Sequence, residues 1–480
     1  MRSSEKQLAL GWLWIFSSVV PLFTILLSFY LEDWYWGLMD DAGIIASGTN
    51  VFDRFNNYFY SLIAWGVFRP TFALHSAIFY SWFEHVPVLM HVLKWVEAVL
   101  MLMIWGIAVY RICGHRFALP MFMAAALSFH YLYDTFFLIS THEIMGLLFL
   151  GLALNIFLTA VAQADHYWFS GLLTAGVLFL LVGFGAKEPL ATCGIAFGTS
   201  FGLLGFIDPL NRTRAFWIGG LVLAVSVVYI ALLQVYIRGG YTDGYSFSNF
   251  SKLWDNLIGW LLKDLANHTP WLILVVVLGL ALSRTGSRSN LVSAFTLRQK
   301  WGIFTGLLLY GGYLMILLPW NTTSYYAGPL GVFFAFPVSI FVAQVLPQTS
   351  TFMQVLVPIG SLILNMFVSQ WALTRESFYH YDTQNLMAWV RGNSAFQSAA
   401  REKLVYCNGM EAAGAIPVHL ARDFSLQLPP FLPGGIQSDP TLSKAVYVWS
   451  PRFGGAESDF PRGSWDTMFY SKFWQVYVRK

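Results

Sequence analysis

Apolar stretches of about 20 residues recur along most of the chain, and each is long enough to cross a hydrocarbon layer of roughly 30 Å as a helix. No other feature constrains the fold as much. A backbone in lipid must satisfy its own hydrogen bonds, and a helix does so within one segment. The runs and their breakers place spans near residues 8–30, 88–110, 117–133, 143–162, 169–183, 189–207, 216–237, 270–283, 301–318, 326–346 and 351–373. Charged residues make up only 11% of the 480 positions and hydrophobic ones 57%. Soluble domains carry about 25% charge, so a water-soluble globule is excluded. The net charge of +3 forms no basic face, and nucleic acid is not an expected partner. The expectation is an all-α polytopic membrane protein with about 11 transmembrane helices.

Lysine and arginine in the short connections set the orientation, because positively charged loops resist export. Arg2 and Lys6, Arg111 and Arg116, Arg212 and Arg214, and then Arg284, Arg288, Arg298 and Lys300 fall in one set of loops, expected to be cytosolic. The alternate loops are longer, aromatic and partly acidic. The N-terminus is thus expected inside and the tail outside. The first apolar run exceeds a signal-peptide core and lacks a small-residue cleavage site, so it reads as a retained helix. Cys113, Cys193 and Cys407 fall in different compartments on this topology, and no intramolecular disulfide is expected.

Two domains are expected. Residues 1–373 form the membrane part, including outer loops 31–87 and 238–269. Within these loops, 57–68, 72–83 and 250–265 suit helices lying on the bilayer surface. Residues 374–480 change to turns and short alternating runs, which suits a small exported C-terminal α+β domain.

Ionisable groups near apolar spans are costly, and their depth and company rank them. Asp40 and Asp41 follow the first helix. Adjacent carboxylates there can accept a proton from an attacking hydroxyl, hold a divalent cation, or merely cap a helix. Lys187, Glu188 and Pro189 occupy a tight connection that aims the lysine over the outer rim, where it suits a phosphate or serves as an interfacial anchor. Arg69, before Pro70, pairs with phosphate or carboxylate oxygens, or reaches to headgroups. Lys94 and Glu97 stand three apart and are expected to neutralise each other. Asp134, His142 and Glu143 flank an outer turn on the same side. Tyr325 and Tyr326 also sit at that rim, where they either orient a phosphate or sugar or join an aromatic belt. No Walker loop, dinucleotide fingerprint or His-Glu-x-x-His pattern is present, so nucleotide-driven pumping has no support.

An acidic pair after the first helix, an Arg-Pro closing the same loop and a Lys-Glu before a proline resemble, in that order, the type C glycosyltransferases, in the branch of the protein mannosyltransferases and their bacterial relatives. Here they are Asp40-Asp41, Arg69-Pro70 and Lys187-Glu188-Pro189. The resemblance covers about residues 1–210, with a tyrosine-bearing turn at Tyr325-Tyr326 beyond it. It implies Asp40 or Asp41 as general base, and Arg69 and Lys187 on the phosphate of a polyprenyl-phosphate-linked sugar donor. Asp134 corresponds to a further acidic position, although the His-Pro usual before it reads His130-Tyr131. A glycan or exported protein would be the acceptor, at the periplasmic face of a bacterial inner membrane. A flippase, or a ligase that moves whole glycans between lipid carriers, is the alternative.

Overall fold

The computed structural model describes residues 3–31, 34, 48, 50–64, 66–83, 86–137, 141–236, 250–284, 295–318, 327–401, 405–408, 446–449, 465–471 and 474–479. Helices account for nearly all of the membrane part. They are α1 (Ser3–Leu31), α2 (Val51–Ala64), α3 (Pro70–Phe83), α4 (Pro87–Cys113), α5 (Ala118–Leu127), α6 (His130–Phe137), α7 (Glu143–Ala162) and α8 (His166–Phe184). A 3-10 turn, Glu188–Leu190, leads into α9 (Ala191–Ile207), followed by α10 (Arg212–Tyr236), α11 (Phe250–Arg284), α12 (Leu297–Leu317), α13 (Gly328–Val345), α14 (Thr351–Gly392) and α15 (Ser394–Arg401). Among the described residues, nine helices are long and apolar enough to cross a membrane, and two shorter apolar segments, Ala118–Leu127 and Asn267–Ala281, bring the set to the expected number.

Lipid cannot drive helix against helix by hydrophobicity, so close backbone approach and polar side chains join the bundle. A Cβ at Gly219 would stand 2.6 Å from the Gly202 nitrogen, so α9 and α10 meet backbone to backbone. Asn365 on α14 donates to the carbonyls of Ser17 at 2.8 Å and Ala124 at 3.0 Å, tying three helices. Trp105 and Trp301 donate to the carbonyls of Leu147 and Ser200. Buried side chains surround α13, which forms the centre of the bundle.

Three expectations change in detail. The span expected at 117–133 divides into α5 and α6, where the Ser128 hydroxyl turns back to the Ala125 carbonyl at 2.6 Å. The surface stretch expected at 250–265 is continuous with the span after it, because α11 runs through Pro270. The last span does not stop at residue 373: α14 continues to Gly392. Its extension carries the tail, whose four-stranded sheet has the order β1 (Val405–Asn408), β2 (Val446–Trp449), β4 (Gln475–Arg479), β3 (Trp465–Tyr470). The first pair is parallel and the other two are antiparallel, in keeping with the expected α+β tail. Buried Trp474 donates to the Thr383 hydroxyl of α14 at 3.1 Å, and Trp389 packs on Phe469. Cys113 and Cys193 are free thiols, and the Cys407 side chain lies outside the description.

Candidate active site

At the end of the bundle where α7 begins and α8 finishes, the chain approaches itself closely. The Thr71 and Phe72 amides donate to the Gly185 carbonyl at 3.1 and 3.4 Å. A Cβ at Gly185 would lie 2.5 Å from the Thr71 hydroxyl, so only glycine leaves room for this contact. Gly146 serves likewise on α7, where a Cβ would meet a Leu190 methyl at 2.2 Å. These approaches place the connection before α3 against the turn after α8, and so bring Arg69 to Glu188.

Arg69 donates from Nε to Glu188 at 2.7 Å, while the Phe68 amide donates to the other oxygen of that carboxylate at 2.8 Å. Behind this pair, Lys187 donates from Nζ to Glu143 at 2.6 Å, with both side chains entirely out of solvent. His142 lies between the two pairs, its Nε2 2.6 Å from Arg69 Nη1 and 3.4 Å from Lys187 Nζ. A guanidinium can only donate, so Nε2 is the acceptor and the neutral ring carries its proton on Nδ1. Phe72 packs on this imidazole with ring centroids 4.0 Å apart. Burial pushes the Lys187 ammonium down to about 8, against the opposing pull of Glu143. The two cations and two carboxylates balance in charge, and the geometry grades them by depth. The side chains of Arg69 and Glu188 are 9% and 12% exposed at the rim, with Lys187 and Glu143 behind them.

Two further polar groups adjoin the cluster through the segment between α6 and α7. Lys94 donates to the Thr141 carbonyl, and its nitrogen stands 4.0 Å from Glu97. The expected neutralisation of Glu97 by Lys94 is thus the looser contact; His75 of α3 bonds that carboxylate directly. The Thr141 hydroxyl donates to the Thr135 carbonyl at 3.0 Å, next to Asp134. Asp134 is buried but does not join the Arg69 cluster; it pairs with Arg375 of α14, which also reaches Glu376 at 2.8 Å.

Arg69, His142, Glu143, Lys187 and Glu188, all candidates from the sequence, come together, with His142 and Glu143 joining the two cations and not Asp134. Asp40, Asp41, Tyr325 and Tyr326 lie outside the described residues. Among those described, no group of three or more histidine, cysteine or acidic side chains is arranged to hold a metal ion, and the possible cation position at Asp40 and Asp41 falls outside them. Three residues escaped sequence reasoning. Arg375 was hidden because composition changes at residue 374, and His75 because a lone histidine on an aromatic helix carries no motif. Tyr229, on an otherwise apolar span, packs on Phe184 at 5.2 Å, and its buried hydroxyl has no hydrogen-bond partner among the described residues.

No family model and no curated protein matches the chain. Among solved structures, the crystal structure of ArnT from Cupriavidus metallidurans bound to undecaprenyl phosphate aligns over 96% of this chain and 97% of its own, with 11% identity and a TM-score of 0.53. The chain shares the overall fold of that structure, and nine of its described helices are long and apolar enough to cross a membrane.

Proposed function

We propose that this protein transfers a sugar from a polyprenyl-phosphate carrier to a surface glycan or an exported protein, at the outer face of a bacterial inner membrane. The observation that carries the reading is the meeting of Arg69, His142, Lys187 and two carboxylates at one end of a bundle with this fold. ArnT, a structural neighbour, was crystallised with a lipid phosphate of the proposed carrier class. In the reaction, an acceptor hydroxyl oxygen attacks the anomeric carbon while the bond from that carbon to the phosphate oxygen breaks. The electron pair leaves with the lipid phosphate, and the hydroxyl proton passes to Asp40 or Asp41. A single displacement inverts the anomeric centre.

The leaving phosphate gathers negative charge, and fixed cations stabilise it best where water is scarce. In this reading Arg69, at the rim, contacts the phosphate. Lys187, fully buried, acts from behind by setting the local potential and holding His142 against Arg69. The bond to the carrier supplies the driving force, so no nucleotide is consumed outside the cell.

Transfer of labelled sugar from a synthetic polyprenyl-phosphate donor tests the reading. Asp40→Asn with Asp41→Asn should lower turnover by about a hundredfold or more, the scale of general-base catalysis, with unchanged thermal unfolding. Near-normal turnover in that folded double variant would refute the base assignment. Arg69→Ala should raise the donor KM, and an unchanged donor dependence would refute the phosphate role.

A further inference from the structure

Toward the start of α10, Leu173 of α8 and the 212–221 stretch of α10 line an open groove of about 710 Å³. Its walls include Leu173, Phe216, Trp217 and Leu221, and Arg212 stands at its mouth. Gly220 borders this open space, since an added Cβ there would meet nothing within 4 Å. Trp217 is 65% exposed, so the groove presents aromatic and aliphatic surface outward. From Arg212 to Leu221 the helix rises about 14 Å, close to the hydrocarbon depth of one leaflet. The groove therefore has the length and lining of a lipid chain.

The charge at its mouth selects the headgroup. Arg212 is exposed and rests on the Phe216 ring at 5.7 Å, with no ion pair among the described residues. Two described acids, in the turns before α8 and α10, hydrogen-bond to neutral donors and form no ion pair with Arg212 among the described residues. Asp165 accepts the Tyr167 and Trp168 amides and caps α8, and Asp208 accepts from Asn211 at 2.9 Å and from the Leu210 amide at 3.2 Å. Arg214 reaches the carbonyls of Val161 and Ala164 and has no carboxylate partner among the described residues. We propose that this groove binds an anionic phospholipid of the leaflet on the Arg212 side, with its phosphate at Arg212 and one acyl chain along Phe216, Gly220 and Leu221. The inference requires a membrane protein but is independent of glycosyl transfer.

Native mass spectrometry of the full-length protein tests it, with phosphatidylglycerol and phosphatidylcholine of identical chains added in turn. Phosphatidylglycerol should be the better retained. Arg212→Gln should weaken it about fivefold, the worth of one cation near a lipid phosphate, and bring the two lipids level. Gly220→Leu should fill the groove and abolish retention of both lipids, with an unchanged unfolding temperature. Equal retention of the two lipids by the unaltered protein, or retention unmoved by either variant, would overturn the proposal. Displacement of phosphatidylglycerol from this groove by undecaprenyl phosphate would overturn it as well, by assigning the groove to the carrier.

Discussion

Glu143 and Lys187 form an ion pair fully out of water, which makes their contribution asymmetric. Removing one partner leaves a bare buried charge, whereas replacing both by apolar side chains removes the desolvation cost as well. Lys187→Met should therefore destabilise the protein by about 3–5 kcal/mol, and Lys187→Met with Glu143→Leu should recover most of that, as read from thermal unfolding in detergent. If the double variant folds but uses donor poorly, the pair acts in catalysis as well as in folding. The pH dependence has a definite sign. Burial lowers the Lys187 pKa to about 8, so the ammonium is present below that pH and lost above it. Donor KM should rise as pH increases through about 8, and Lys187→Arg should abolish that rise. At this scale the charged motifs could be read from their order and spacing. The partner of each charge could not, since Lys94 and Glu97 lie one turn apart yet make their closest bonds to Thr141 and His75.

Between elements, a single missing side chain holds the cluster in register. Gly185 lets the Thr71 amide reach its carbonyl, and the neighbouring Arg69 then meets Glu188. Gly185→Val should push the connection before α3 outward and cost up to about a hundredfold in turnover, the penalty of an ångström-scale misplacement. Thr71→Ala in that background should restore part of the loss, because the Thr71 hydroxyl is the nearest atom in the way. Helix identity was readable from apolar run length, and the α5–α6 break and the full extent of α11 were not. Hydropathy records which side chains tolerate lipid, while a helix ends where its backbone bonds or its neighbours change. At Ser128 the hydroxyl returns to its own helix and accepts from Trp271, and neither contact leaves a trace in apolar content.

The tail and the membrane bundle share a helix. Because α14 continues to Gly392, the sheet rests on a rigid extension of the bundle, with Trp474 completely buried against Thr383. Trp474→Ala should cost the tail about 3–5 kcal/mol, the usual penalty for emptying a large aromatic site. Limited proteolysis should then cut beyond residue 401 sooner, while the unfolding temperature of the membrane part stays constant. The same continuity brings Arg375 to Asp134, which couples the tail's supporting helix to the end of the bundle that carries the candidate site. Composition alone determined that this chain lives in a membrane as a helical bundle, since backbone satisfaction in lipid admits few other answers. Motif order also indicated which charged residues belong to one face. Tertiary structure decided who pairs with whom: that Arg69 faces Glu188, that Lys187 is sealed against Glu143, and that Asp134 answers to Arg375. Those partners are separated by dozens to hundreds of residues, and a charge in low dielectric is set by its nearest neighbours in space, which no local pattern in the chain encodes.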